Sequence, residues 1–89
     1  MVRQQLQDAA ATLRDAADAA EATDAKSRLQ DQADHFDSLA TADRGPDHGR
    51  LARHEHILTA IAADEPDAAP HVEDALELIR KYRSTVEGV

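Results

Sequence analysis

The sequence predicts an all-α fold, an antiparallel up-down-up-down four-helix bundle that forms a single domain over residues 1–89. Apolar residues recur at helical spacing in four segments, at about residues 2–22, 24–43, 48–63 and 67–86. The joins between these segments are short, and helices connected by short loops fold back on one another. A chain of 89 residues also leaves no room for a second domain of ordinary size.

The first two predicted helices are separated by a change in the position of the apolar stripe. At 100° per residue, Leu29 lies roughly 140° around the helix axis from Leu6, so one continuous helix could not bury both side chains. We therefore predict a tight turn between them, with Thr23 and Asp24 as candidate N-caps. A single, sharply kinked helix is the alternative.

The second and third predicted helices are separated by a stretch that contains two of the three glycines. Gly45 is predicted to end the second helix in the left-handed C′ conformation, and Pro46 cannot continue that helix. Asp47 can accept a hydrogen bond from a free backbone N–H group at the start of the next helix. The third helix is therefore predicted to begin at His48.

The remaining helix ends are predicted from proline and charge. The third helix must stop before Pro66, because the residue before proline disfavours helical angles. Asp67 is predicted to cap the fourth helix, with Pro70 tolerated in its first turn, and Gly88 is expected to mark the end of order. The last turn of this helix carries basic residues that favour the negative end of its dipole: Arg80, Lys81 and Arg83.

The composition is strongly acidic and poor in lysine. The chain has 18 acidic and 10 basic residues, a net charge of -8, twice as many aspartates as glutamates, and eight arginines against two lysines. Such a surface suits high salt, where screening removes the self-repulsion of the charges. The same balance disfavours nucleic acid and anionic lipid as partners, so we expect a salt-adapted protein.

Other features of the composition limit the possible environments and functions. The chain has no cysteine, which excludes disulfides and thiolate chemistry. No apolar run is long enough to span a bilayer or to form a signal sequence, so we expect a cytoplasmic protein with no membrane association. Alanine supplies much of the apolar content and buries little area per residue, so self-association, most simply as a homodimer, is expected to help stability.

The histidines raise the question of a metal site. His54 falls on the apolar stripe of the third helix and should point into the bundle, where it needs a partner. That partner is either the backbone or an acid of a neighbouring helix, or else a metal ion. His54 and His56 are two residues apart and therefore on nearly opposite sides of the helix, whereas bundle metal sites need ligands three or four apart. We therefore predict no metal centre and no cofactor.

A second candidate site is a basic ridge at the start of the third helix. Its residues lie beside the free N–H groups of a helix N-terminus, an arrangement that can hold a phosphate or a carboxylate. The alternative is a set of solvated arginines paired with nearby aspartates. Gly49 allows close approach either by a ligand or by a neighbouring helix. The ridge residues are Arg44, His48, Arg50 and Arg53, and together with His54 they are the candidate ligand contacts.

Two stretches of the chain are the most specific: ATADRGPDHGRLAR at residues 40–53 and YRSTVEGV at residues 82–89. With them, the chain resembles, over nearly its whole length, a family of small acidic haloarchaeal proteins of uncharacterised function. The resemblance supports adaptation to salt. It implies no activity, substrate, cofactor or catalytic residue.

From these observations we expect a non-enzymatic, salt-adapted helical interaction module that associates with itself or with a protein partner. One alternative is a bundle that binds a small ligand or a metal through His54 or the ridge of residues 44–53. A second is a transcription-associated regulator that uses the third helix to read DNA. The acidic balance and the loss of phosphate-contact energy in high salt speak against that second alternative.

Overall fold

A computed structural model describes residues 2–86 and contains four α-helices in this range. No strand occurs among these residues, and the body measures 37 × 22 × 17 Å along its principal axes. The predicted all-α four-helix fold is therefore confirmed, although most helices are shorter than predicted. The helices are α1 (Gln4–Ala19), α2 (Thr23–Thr41), α3 (His48–Asp64) and α4 (Ala69–Arg83).

The four helices form a ring that is tightly packed on three sides. α1 packs extensively against both α2 and α4, and α3 packs against α4, but α3 and α2 contact each other at only a few positions. Long-range hydrogen bonds show that neighbouring helices are antiparallel. Arg3, before α1, donates a hydrogen bond to the carbonyl of Leu39 near the end of α2. Likewise, His48 at the start of α3 bonds the carbonyl of Val86 beyond α4. The side between α2 and α3 is the loose one.

The face of α1 that packs against α2 and α4 is made mainly of alanine. Small side chains let two helix backbones approach closely, so α1 can pack against two neighbours at once while contributing only two leucines to the core. This agrees with the alanine stripe seen in the sequence. The buried residues of α1 are Leu6, Ala9, Ala10, Leu13, Ala16 and Ala17.

The predicted break between the first two helices is confirmed, but its predicted caps are wrong. α1 ends at Ala19 and α2 begins at Thr23. The residues at the join, Ala20 and Ala22, are both extended, with ψ of 140° and 131°, and no side chain caps α2. Asp24 lies instead in the first turn of α2, where its charge favours the positive end of the dipole.

The carboxyl ends of α1 and α2 have no basic residue in their last turns. Each end is stabilised by a cation from elsewhere in the chain. Lys26 donates from Nζ to the carbonyl of Ala17 at 3.1 Å. Arg3 donates from Nη1 to the carbonyls of Leu39 at 3.0 Å and of Ala42 at 2.7 Å. These bonds satisfy carbonyls that a helix terminus leaves free, and they place positive charge at the negative end of the dipole.

Gly45 does not end α2 as predicted. The helix stops at Thr41, Ala42 is extended, and no described glycine has a positive φ. A Cβ atom at Gly45 would instead lie 2.9 Å from Nε of Arg3 and 2.9 Å from Oη of Tyr82. Glycine leaves room here for two long side chains that pass close to the backbone, and its role does not depend on backbone conformation.

The predicted start of α3 is confirmed. Asp47 is its N-cap, and Oδ1 of Asp47 accepts a hydrogen bond from the backbone N–H of Arg50 at 2.8 Å. α3 ends at Asp64, before Pro66 as predicted.

The start of α4 differs from the prediction. Asp67 is not its cap, because the helix begins after Ala68, which has helical angles and no side-chain oxygen to accept a capping hydrogen bond. Ala68 is fully buried, and backbone hydrogen bonds from Ala68 and Ala69 to the carbonyl of Glu65 close the turn before α4. Pro70 lies in the first turn and the last turn is basic, both as predicted. The predicted extension of α4 to residue 86 is not observed, and Gly88 lies outside the described residues.

The cap supplied by Arg3 predicts a measurable stability contribution. Replacing Arg3 with methionine keeps an aliphatic side chain but removes the bonds to the end of α2, and should lower the free energy of unfolding by about 1–2 kcal/mol. Urea denaturation in molar KCl measures this. Arg28→Met is the control, because Arg28 is exposed and makes no side-chain bond within residues 2–86. Equal stability of the two variants would contradict the capping role.

Candidate functional site

A cleft opens between α2 and α3, where the ring of helices is loosely packed. Its volume is about 730 Å³ and it is open to solvent. This size is typical of sites for small molecules or for single groups of a larger partner. We call it the α2–α3 cleft, and its lining residues are Gln32, His35, Asp47, Gly49, Arg50, Arg53, His54 and Ile57.

Helical spacing explains how these side chains come together. On α3, the lining residues Arg50, Arg53, His54 and Ile57 follow the i, i+3, i+4, i+7 pattern of one helix face. The lining residues of α2 are three apart and likewise share a face. The antiparallel order of the two helices then sets the middle of α2 opposite the middle of α3.

His54 is the most buried polar residue of the cleft. It is 6% exposed, and Nδ1 lies 2.7 Å from Oε1 of Gln32, which is itself 7% exposed. The ring centroid of His54 is 5.1 Å from that of Phe36 and 5.5 Å from that of His35. The prediction that His54 points into the bundle is confirmed. The prediction that its partner is a backbone group or an acid is wrong, because the partner is the neutral side-chain amide of Gln32.

The bond to Gln32 determines which nitrogen of His54 carries a hydrogen. Because Oε1 can only accept, Nδ1 is assigned as the donor, and the neutral ring therefore leaves Nε2 unprotonated. Nε2 has no hydrogen-bond partner within residues 2–86 and is not sealed from solvent. One fixed nitrogen lone pair is therefore open to solvent, on a side chain that lines the cleft.

The surroundings of His54 lower its pKa below the usual value of 6.5. The largest cause is burial, which penalises the charged imidazolium, and the next are the positive charges of His35, Arg50 and Arg53. The same residues that lower the pKa also line the cleft. The cleft is therefore electropositive, although the chain as a whole is acidic.

Arg50 and Arg53 are exposed and form no ion pair within residues 2–86. Pairing with nearby aspartates, the alternative raised by the sequence, is therefore not observed for these two side chains. Asp47 is the one carboxylate in the lining, and it already accepts the N–H of Arg50. One N–H group of the α3 N-terminus is thus capped by the chain itself, as predicted for Asp47.

The basic ridge predicted as one site is divided between two sides of α3. Arg50, Arg53 and His54 line the cleft, whereas Arg44 is exposed and lies outside the lining. His48 faces α4: Nε2 lies 3.1 Å from the carbonyl of Val86, and Nδ1 lies 3.2 Å from Nε of Arg83.

Arg83 and its neighbour Arg80 belong to a separate ion-pair cluster between α3 and α4. Both bind Glu55, whose side chain is 13% exposed, at N–O distances of 2.7 Å from Arg83 and 3.2 Å from Arg80. Two of the basic residues at the end of α4 therefore form ion pairs within the protein. A shared partner with little access to solvent suggests that this cluster holds α3 against α4 more firmly than an exposed pair would.

Two lining residues, Gln32 and His35, were not singled out from the sequence. Gln32 lies three residues after Leu29 and four before Phe36, on the buried stripe of α2. A polar residue on such a stripe signals a buried hydrogen bond. The sequence gives no such signal for His35, because this residue is exposed on α2 and belongs to the cleft only through the position of α3 opposite it.

The geometry does not favour a cation in the cleft. His54 is buried and His56 exposed, which confirms that they face different sides of α3. No three His, Asp or Glu side chains within residues 2–86 are grouped as metal ligands. Arg50 and Arg53 would also repel a positive ion at Nε2 of His54.

These observations define a small all-α four-helix protein with a basic cleft on an acidic chain. The chain belongs to the family of unknown function DUF7553, whose model matches residues 1–85. This agrees with the uncharacterised role of the family that the sequence resembles, while the haloarchaeal origin stays a prediction. Comparisons with curated proteins and with solved structures gave no match. None of the helices within residues 2–86 is long and apolar enough to cross a membrane.

The two glycines near α3 should respond to alanine in opposite ways. A Cβ at Gly49 would meet only Oδ1 of Asp47, at an ordinary 3.5 Å, so no neighbouring helix requires glycine there. Gly49→Ala should therefore raise the free energy of unfolding by about 0.5–1 kcal/mol through helix propensity. Gly45→Ala should lower it by about 1 kcal/mol by crowding Arg3 and Tyr82. Urea denaturation in molar KCl checks both signs, and a loss of stability in Gly49→Ala would refute the first.

The lowered pKa of His54 predicts a pH dependence of stability. The unfolded chain binds the proton more tightly than the folded protein does, so stability is full above about pH 6.5 and falls as the pH drops toward the folded pKa. Denaturation at several pH values between about 5 and 8, in molar KCl to screen surface charge, measures the slope. His54→Gln should flatten it, and His56→Gln, an exposed control on the same helix, should retain it. Equal slopes in the two variants would show that His54 is not the cause.

Proposed function

We propose that this protein is a non-enzymatic, salt-adapted interaction module that binds an anionic group of a partner in the α2–α3 cleft. The observation that carries the proposal is that Arg50 and Arg53 flank the cleft without a carboxylate partner within residues 2–86. Acidic residues outnumber basic ones by 18 to 10, so side chains available for pairing are abundant. Two arginines kept apart from them are available for a partner.

The makeup of the cleft supports binding over catalysis. Its lining contains no hydroxyl or thiol that could act as a nucleophile. His54 is held by an amide and not by a carboxylate, so it lacks the acidic group that orients the histidine in most acid–base catalytic sites.

The chemistry of the cleft arginines is compatible with binding in high salt. Salt strongly screens the charges of exposed side chains such as Arg50 and Arg53, so charge attraction alone is weak there. A guanidinium also makes two parallel hydrogen bonds to one carboxylate or phosphate, which adds directional contacts to the charge attraction. Such contacts can persist in a salt-adapted, cytoplasmic setting.

Self-association is a second candidate, favoured by the acidic surface of the chain itself. A second copy would present many carboxylates to Arg50 and Arg53. Within residues 2–86, Val2 is the one large apolar side chain that is exposed, at 48%. A homodimer would therefore use charged contacts at the cleft, since the described surface offers no large apolar patch.

A transcription-associated regulator remains the less favoured alternative. The basic face of α3 lies in a cleft beside α2, whereas a recognition helix must project freely to enter the major groove. The chain's charge of -8 also opposes approach to DNA.

The proposal predicts that partner binding depends on the two cleft arginines. Protein immobilised through its carboxyl terminus should retain a partner from native lysate in molar KCl, and Arg50→Glu/Arg53→Glu should lose it at least tenfold, because the attraction becomes repulsion. Arg28→Glu/Arg44→Glu is the matched control, with the same change in charge at exposed arginines outside the lining.

Sedimentation of the free protein at two concentrations, with the same variants, distinguishes the two kinds of partner. A dimer that the Arg50→Glu/Arg53→Glu change dissociates identifies a second copy as the partner. A monomer whose lysate partner is lost on the same change identifies a different protein. Equal retention of lysate proteins by both double variants, together with an unaffected oligomeric state, would reject the cleft as the binding surface.

A further inference from the structure

We infer that the α2–α3 cleft contains a discrete oxyanion site, in which Arg50 and Arg53 bind a phosphate or carboxylate group and Nε2 of His54 takes up a proton and donates it in a hydrogen bond to that group. The inference rests on the proposed function and adds two things to it. It specifies the chemistry of the bound group, and it couples binding to a proton.

The arginines supply the charge and the geometry of the site. They lie three residues apart on α3 and line the same cleft, one helical turn from each other. Each guanidinium presents five donors in a planar fork that matches the oxygen spacing of carboxylates and phosphates. Neither fork is occupied by a carboxylate within residues 2–86.

His54 supplies the second, independent observation. Its side chain is 6% exposed and held in place from one side by Gln32, yet Nε2 has no partner within residues 2–86. Packing against Phe36, at a ring-centroid distance of 5.1 Å, further restricts the ring. Because His54 lines the cleft and Nε2 is open to solvent, a bound group can replace solvent at this nitrogen.

The free state of His54 explains the coupling to a proton. The neutral ring presents a lone pair at Nε2, which repels an oxyanion, whereas the protonated ring presents an N–H donor. In the free protein, burial and the positive neighbours disfavour that proton. A bound anion offsets those neighbours, so one proton passes from solvent to Nε2 on binding and no other bond is made or broken. By linkage, binding tightens as the pH falls.

Every charged or titratable lining residue contributes to this balance. Arg50 and Arg53 from α3 and His35 from α2 favour the anion, whereas the carboxylate of Asp47, just before α3, opposes it. With neutral histidines the formal charge of the lining is +1, from two arginines and one aspartate. Asp47→Ser keeps an N-cap and removes the opposing charge, so it should tighten anion binding by about two-fold.

Titration with sulfate tests the site and its coupling to a proton. Sulfate stays dianionic between about pH 5.5 and 7.5, so any pH dependence belongs to the protein. Calorimetry and histidine NMR at constant molar KCl should show saturable binding at millimolar sulfate, about ten-fold tighter at the lower pH. The Nε2 resonance of His54 should shift toward that of the protonated ring. Inorganic phosphate and acetate, titrated in parallel, show whether the site prefers a phosphoryl or a carboxyl group.

Matched variants assign the effects to residues. Arg53→Gln should weaken sulfate binding at least ten-fold, and Arg53→Lys less, because it keeps the charge but loses the fork. His54→Gln should remove most of the pH dependence while retaining a folded helical protein by circular dichroism. His56→Gln and Arg28→Gln, on exposed positions, should behave like the unmodified chain.

Three results would overturn the inference. They are the absence of saturable binding by all three anions, equal weakening by Arg28→Gln and Arg53→Gln, and an unchanged pH dependence in His54→Gln. Failure here is distinguishable from failure of the proposed function. If Arg50→Glu/Arg53→Glu loses the partner but the protein binds none of the anions, the interaction module stands and the oxyanion site is rejected. If the protein binds anions but no partner depends on the cleft, the oxyanion site stands and the interaction role is rejected.

Discussion

The packing of α1 against two neighbours is the constraint on which the rest of the structure depends. Its buried face is alanine except for Leu6 and Leu13, so the backbones of α2 and α4 can both lie close to it. α3 has no contact with α1 and packs mainly on α4. Because α3 packs mainly on α4 and only loosely on α2, the side of the ring between α2 and α3 opens into the α2–α3 cleft.

The basic side chains of this acidic protein are largely used to hold helices and helix ends in place. Arg3 and Lys26 cap the ends of α2 and α1, and Arg83 ties α4 to Glu55 of α3. Arg14 of α1 binds two aspartates of α2, and the hydrogen bond to Asp37 is the largest cause of its raised pKa. Against this background, Arg50 and Arg53 differ, because they line a cleft without an acidic partner in the described chain.

The candidate site could be predicted only where its geometry is local. The inward direction of His54 follows from its spacing to leucines and isoleucines on the same helix, and the N-cap role of Asp47 follows from its position before α3. The separation of Arg50 from His48 follows from their spacing of two residues, but which helix each side chain faces depends on where α2 and α4 lie beside α3. The pairing of His54 with Gln32 likewise requires the alignment of two helices 22 residues apart in sequence.

The sequence by itself determined the four helices, the break before Thr23, the start of α3 and the residues that face inward. These features depend on periodicity, proline and local capping, which act within a few residues. Only the tertiary structure decided that Arg3 caps the distant end of α2, that Gly45 leaves room for two crossing side chains, and that α3 packs only loosely on α2. Such contacts join residues far apart in the chain, and they are set by how the four apolar stripes pack together and not by any one of them.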